Sequence, residues 1–141
     1  MMRVHRLPLL VYAGLVALVV PLSASACRCA PPATAQAYKA AAAVVLATVE
    51  AVREETAIDG SVATFRVTRS WKGDLPTHVR VMTGTNCAIP WEPGEQYLLF
   101  LERDAARKTL FATRCNGTAR ADAAKDRLAW LNKAKRNHSK S

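Results

Sequence analysis

The sequence predicts an all-β fold: a small barrel of five short strands, with a short helical turn before the first strand and an amphipathic helix after the last. Three observations carry this reading. Strand-length runs of β-branched or alternating residues recur between residues 43 and 114, Gly- and Pro-bearing turn clusters separate them, and four cysteines are available to staple a chain that can build only a modest core.

The domain is expected to begin behind a leader. Arg3 and Arg6, the apolar run from Leu7 to Val20 and the small tripeptide Ala24-Ser25-Ala26 make the basic, apolar and cleavage parts of a secretory signal peptide over residues 1–26. The apolar run is shorter than the roughly 20 residues a bilayer span needs, and Pro21 with the small residues after it favours cleavage over anchoring. Cutting after Ala26 leaves 115 of the 141 residues, enough for one domain and no second. Removing Arg3 and Arg6 lowers the 20 Lys and Arg to 18 against 11 Asp and Glu, a net +7, much of it in the tail from Lys125 to Lys140. That balance suits an acidic polymer, a membrane surface or an acidic protein face alike and selects none of them.

Taken in order, "CRCAPP" is extended and "ATAQAYKAAAA" is rich in helix formers, predicting a short helical turn. "AVVLATVEAV", Ala43 to Val52, is the first strand. "REETAIDGS" with its Asp59-Gly60 signal is a hairpin loop. "VATFRVTRSW" is the second strand, with Val62, Thr64, Arg66, Thr68 and Ser70 on one face and Ala63, Phe65, Val67 and Trp71 on the other, Arg69 breaking the pattern. "KGDLPT" turns the chain into "HVRVMTG", where Val79 and Val81 share a face. The loop "TNCAIPWEPGEQ" carries Cys87, "YLLFLE" is the fourth strand, and "TLFATR" is a fifth that delivers Cys115. From Ala119 onward Ala121, Ala124, Leu128 and Leu131 recur at spacings of three and four, predicting a helix capped by Thr118. The domain so defined covers residues 27–132, followed by a frayed basic polar tail over 133–141. Five strands with helical trim point to the five-stranded, partly open OB-fold barrel; a β-sandwich would want about seven strands.

All four cysteines, Cys27, Cys29, Cys87 and Cys115, follow the leader, and export places them in an oxidising compartment, so their even number reads as two disulfides. Three pairings are open. A bond from Cys27 to Cys29 closes a very tight ring, whereas residues i and i+2 of an extended segment project from one face and reach partners elsewhere. A zinc site is the weaker reading, since no C-x-x-C is present and His5 and His138 fall in the leader and the tail.

Catalysis has little support. His78 is the one histidine inside the predicted domain, paired cysteines leave no thiol nucleophile, the acidic residues (Glu54 and Glu55 among them) form no arguable acid/base pair, and no serine lies in a nucleophile elbow. A non-enzymatic protein without a cofactor is expected. Phe65, Trp71, Tyr97, Phe100 and Phe111 lie in apolar strand patterns and read as core rather than as a stacking platform for nucleic acid. Asn116-Gly117-Thr118 fits the N-glycosylation pattern and equally a turn before a helix. The remaining chemical feature is the amino terminus made by cleavage. An α-amine with a pKa of about 8 and the Cys27 carbonyl can chelate a metal in a five-membered ring, and a rigid end can enter the open position of another protein's catalytic zinc at low entropic cost.

The order "C-R-C-A-P-P…Q-A-Y", "VVLATVEAV", "FRVTRSWKG", "HVRVMTG…C" and "GEQYLLFLE…C-N-G" resembles the netrin-like family, and within it the inhibitory domain of the tissue inhibitors of metalloproteinases, over essentially the whole chain after the leader. The resemblance implies an OB-fold, the pairings Cys27–Cys87 and Cys29–Cys115, and inhibition of a zinc metalloprotease in which Cys27 chelates the protease zinc while Arg28 enters the specificity pocket. Animal members usually carry a small polar or aliphatic residue at that place, and a long cation suits an acidic pocket. Where the family's third amino-terminal cysteine would fall stands Lys39, and no carboxy-terminal subdomain follows, as in a minimal bacterial relative. Two functions follow: a secreted, monomeric metalloprotease inhibitor acting through Cys27 and Arg28, or a non-inhibitory netrin-like binding module of the cell envelope. In the second, "ASAC" serves as a loose lipobox and Cys27 carries a lipid.

Overall fold

The computed structural model of the chain describes residues 27–54, 60–84, 87–106 and 108–139; the leader predicted over 1–26 and Asp59 of the hairpin turn lie outside them. The elements run α1 (Thr34–Ala40), β1 (Ala43–Glu54), β2 (Ser61–Lys72), β3 (His78–Thr83), β4 (Gln96–Asp104), β5 (Thr109–Phe111), a 3-10 turn at Arg114–Asn116, β6 (Ala119–Arg120), a second 3-10 turn at Ala121–Ala123 and α2 (Lys125–His138). The strands pair in the order β1-β2-β3-β5-β4, and β4 pairs back to β1, closing a barrel of five strands; the two-residue β6 pairs with Tyr97 and Leu98 of β4. The contacts are antiparallel except β3 with β5, so the barrel is mixed. β1 runs on past its pairing with β4, which ends at Thr48, and β2 past its pairing with β3, which ends at Arg66.

The strand sequences account for two cores. Inside the barrel, Val45, Ala47 and Val49 of β1, Ala63 and Phe65 of β2, Val79 and Val81 of β3, and Tyr97, Leu99 and Leu101 of β4 meet at alternate positions. Outside it, Val44 of β1 and Leu98 and Phe100 of β4 pack under Ala37 and Ala41 from the α1 segment, and under Ala124 and Leu131 at α2. The run "YLLFL" is apolar at every position because both faces of β4 are covered, one by the barrel interior and one by helices. Alternation is therefore absent there for a packing reason.

The break at Arg69 has a geometric cause. Ala47 pairs with Val67 but Leu46 pairs with Arg69, so Thr68 is an extra residue in β2; a second shift sets Val45 opposite Ser70 and Val44 opposite Lys72, making Trp71 extra as well. Each β-bulge advances the strand by one residue and exchanges its faces. Arg69 thus points out where parity predicts in, and Trp71 packs in the outer cluster beside Tyr38 rather than in the barrel.

The barrel mouth is plugged by Trp91, 7% exposed, from the loop between β3 and β4. Its ring meets Phe65 at 5.0 Å and Tyr97 at 5.1 Å, both edge to face, the arrangement aromatic quadrupoles favour. The Tyr97 hydroxyl donates to the Pro90 carbonyl and accepts from the Glu92 amide, each at 3.2 Å, tying this loop to β4. Arg120 in β6 closes it from outside through Glu92 at 3.0 Å and Glu95 at 2.9 Å.

Burial pushes the Tyr97 phenol above its ordinary value; the nearby Glu92 and Glu95 carboxylates add to this, while the Glu92 amide and Arg120 oppose it. A raised acid favours the neutral form in the native state. Its contribution to stability is complete below about pH 10, the unfolded value, and is lost as pH rises through the folded one. Denaturant unfolding at pH 9 and at pH 11 should therefore show an alkaline loss of stability in the wild type that is smaller in Tyr97→Phe. Equal slopes in the two proteins would exclude Tyr97 as the source.

Three expectations about the end of the chain are corrected. The helix begins at Lys125, not near Ala119, and Thr118 does not cap it: its hydroxyl, 4% exposed as a residue, accepts from the Phe100 amide at 2.9 Å, and the N-cap position is Ala124, with no side-chain cap. Residues 119–120 are spent on β6 and 121–123 on a 3-10 turn before the helix can start. The segment 133–138, expected to fray, continues α2 to His138, with Lys135 Nζ donating to the Ser70 carbonyl at 3.2 Å. The apolar spacing was nonetheless in phase, since Ala124 and Leu131 are buried and Leu128 packs beside them.

Candidate functional site

A strap of seven residues, 27–33, precedes α1 without regular secondary structure. Pro31 and Pro32 keep it extended, because each fixes its own φ and disfavours the helical region for the residue before it. On this strap Cys27 is bonded to Cys87, in the loop between β3 and β4, and Cys29 to Cys115, in the 3-10 turn after β5. The i, i+2 spacing turns both sulfurs toward the barrel and leaves Arg28 between them exposed to solvent.

The two bridges lie against each other. Cys27 Sγ is 3.6 Å from Cys29 Sγ and 4.0 Å from Cys115 Sγ, and the four sulfurs all fall within 4.8 Å of one another, each on a half-buried residue. The loops that receive them are joined, since the Arg114 amide donates to the Cys87 carbonyl at 3.2 Å. Thr113 Oγ1 accepts from the Cys115 amide at 3.2 Å and sets the 3-10 turn. On the other side, Thr83 Oγ1 at the end of β3 accepts from the Ile89 amide at 3.1 Å, fixing the residues just past Cys87. Cys87 itself has φ 58°, a left-handed backbone that a residue with a Cβ adopts at some cost and that the surrounding bonds hold.

The strap is held at its far end too. Arg127 Nη2 of α2 donates to the Pro32 carbonyl at 2.8 Å, and the same guanidinium lies over the Phe100 ring at 5.7 Å. Gly117, with φ +98°, makes room for it: a Cβ there would stand 2.7 Å from Arg127 Nη1. Two bridges and one charge-assisted hydrogen bond therefore fix a short segment whose one charged residue, Arg28, is exposed. Beside the bridges a groove of about 380 Å³ opens between Gly60, Ser61, Ala88, Pro90 and Arg114.

Lys39, where the family resemblance places a cysteine, is exposed at the end of α1. There α1 is fastened without a bridge. Lys72 Nζ of β2 donates to the carbonyls of Tyr38 at 2.8 Å and Lys39 at 3.1 Å, and the Tyr38 hydroxyl donates to the Trp71 carbonyl at 3.0 Å. Asn116 of the glycosylation pattern is also committed: its Nδ2 donates to the Phe100 carbonyl at 2.8 Å and its Oδ1 accepts from the Thr118 amide at 3.2 Å. The pattern is an Asx turn that buries Thr118. His78 sits on the barrel surface, 3.5 Å from Glu50, which also meets Arg66 at 3.2 Å.

Sequence reasoning missed Arg127, Trp91 and Lys72 as determinants of the site. Only Trp91 carried a signal, a large aromatic between Pro90 and Pro93 in a turn-forming loop. No family model matches the chain, and a search of curated proteins finds no match to it either.

Proposed function

We propose that the protein is an exported, netrin-like OB-fold inhibitor of a zinc endopeptidase, acting as a monomer and without catalysis or cofactor of its own. In this reading cleavage before Cys27 frees its α-amine, the amine and the Cys27 carbonyl chelate the protease zinc, and Arg28 enters an acidic specificity pocket. The observation that supports it is the pinning of Cys27 and Cys29 by adjacent bridges with Arg28 exposed between them. A ligand held this way has little conformational entropy left to lose on binding. The barrel order β1-β2-β3-β5-β4 with its parallel β3–β5 contact supports the OB-fold name.

The non-inhibitory binding module draws on a different observation. Trp130 is 39% exposed and lines, with Tyr38 and Trp71, a groove of about 530 Å³ on the helical side of the molecule. In its lipidated form that reading conflicts with the bridge, because a thioether at Cys27 Sγ excludes a bond to Cys87.

Intact mass and N-terminal sequencing of the exported protein, followed by an inhibition panel of zinc endopeptidases, decide between them. The inhibitor reading expects a free Cys27 amine and inhibition of at least one member. Acetylating that amine should weaken inhibition about 100-fold, equivalent to about 2.7 kcal/mol. Arg28→Thr should lose that target by a similar factor while keeping the wild-type melting temperature. A blocked or lipidated Cys27, or a free one that inhibits no member in either form, sinks the inhibitor and leaves the binding module.

A further inference from the structure

The two bridges have a second chemistry that the inhibitor reading does not use and on which this inference does not rest. The geometry points to a tetrahedral four-thiolate zinc site formed by Cys27, Cys29, Cys87 and Cys115 once both disulfides are reduced.

Zinc bound by four thiolates at about 2.3 Å sets its sulfurs about 3.8 Å apart. The sulfurs of different bridges already stand at 3.6 Å and 4.0 Å, and no pair among the four exceeds 4.8 Å. Reduction removes the short contact within each pair, and a rearrangement of about an ångström brings all six separations to the tetrahedral value. The parts able to move and the parts able to hold are in the right places. Cys27 and Cys29 lie on an irregular strap, while Cys87 and Cys115 are held together by the Arg114 to Cys87 backbone bond. The spacing C-x-C serves two ligands here because an extended backbone turns residues i and i+2 to one side.

Four thiolates and one Zn²⁺ leave the site at −2, and Arg28 and Arg114 each immediately precede a ligand, Cys29 and Cys115. Half-burial admits a reductant yet removes enough water to strengthen these interactions. The chemistry balances. A dithiol reductant gives each bridge two electrons and two protons and closes to its own disulfide. The four thiols then release four protons to water as zinc binds. Zinc thereby replaces both covalent staples, and folding of the reduced chain becomes metal-dependent.

The test uses the purified protein as its host produces it, reduced with a phosphine under nitrogen and titrated with cobalt(II) and then zinc(II) chloride. One metal per chain is expected, with the intense visible bands and sulfur-to-cobalt charge transfer of a tetrahedral tetrathiolate, bleached by zinc. The β-type far-ultraviolet circular dichroism lost on reduction should return with the metal. Cys29→Ser/Cys115→Ser, reduced likewise, should lose the tetrathiolate spectrum and bind at least about 100-fold more weakly, a difference of about 2.7 kcal/mol. Substoichiometric binding, an octahedral cobalt spectrum, metal uptake without recovery of the wild-type dichroism, or unchanged binding in the variant would each overturn the site.

Discussion

Replacing Cys29 and Cys115 together by serine should lower the unfolding free energy by about 3.5 kcal/mol in the chain-entropy account of disulfides. The sequence separation of 86 residues suggests a larger value, about 4.6 kcal/mol for an isolated loop. The second bridge overlaps the first. With Cys27 bonded to Cys87, the ring that Cys29–Cys115 closes runs only through the 2 residue steps from Cys27 to Cys29 and the 28 from Cys87 to Cys115. That ring is the same whichever bridge is removed, so Cys27→Ser/Cys87→Ser should cost a similar amount. Either double variant should stay folded with a melting temperature lower by roughly 10–20 °C. Loss of both bridges removes about 8 kcal/mol, comparable to the whole stability of an ordinary domain, and should unfold the chain. Thermal and guanidinium unfolding of the two double variants and the quadruple variant check this. A double-variant loss below about 1 kcal/mol, or clearly unequal losses for the two bridges, would show that native strain or residual unfolded structure outweighs loop entropy.

The strands were legible because their signals are local. β1, β2 and β4 announce themselves by β-branched or apolar residues between turn signals, and the observed strands start within a residue of those expectations. What could not be read depends on partners distant in sequence. The bulges at Thr68 and Trp71 exist because β2 must curve around a closed barrel and pair with β3 as well as β1, and no property of "RVTRSW" alone encodes that. Thr118 looks like a helix cap to any local rule, but the Phe100 amide beside it has a stronger claim on its hydroxyl in a buried setting. At the site the division is similar. The strap residues Cys27, Arg28 and Cys29 stand out by spacing, whereas Arg127, which holds the strap's end from 95 residues away, is one basic residue among many on a polar helix.

The other large effect is expected at a residue with no side chain. Gly60→Ala should destabilise the protein by about 3 kcal/mol or more and should disturb the bridged strap as well. Gly60 has φ +80° at the entry to β2, where its neighbour Ser61 pairs with Thr83 of β3. A Cβ at Gly60 would overlap the Thr83 carbonyl oxygen and crowd Gly84, all of it backbone, so relief requires the end of β3 to move. Thr83 is fully buried, and its Oγ1 holds the Ile89 amide two residues beyond Cys87. The displacement therefore passes into the loop that anchors Cys27. Gly94→Ala separates the two causes of loss. Gly94 has φ +85° but nothing within 4 Å of the added Cβ, so only the left-handed backbone counts against alanine, about 1–2 kcal/mol. Guanidinium midpoints of the two variants should differ accordingly, and Gly60→Ala alone should speed reduction of the bridges by a phosphine. Equal midpoints would mean that the crowding at Thr83 is relieved without cost. Equal reduction rates would cut the mechanical link from the hairpin to Cys27, leaving the strap governed by its own bridges and Arg127.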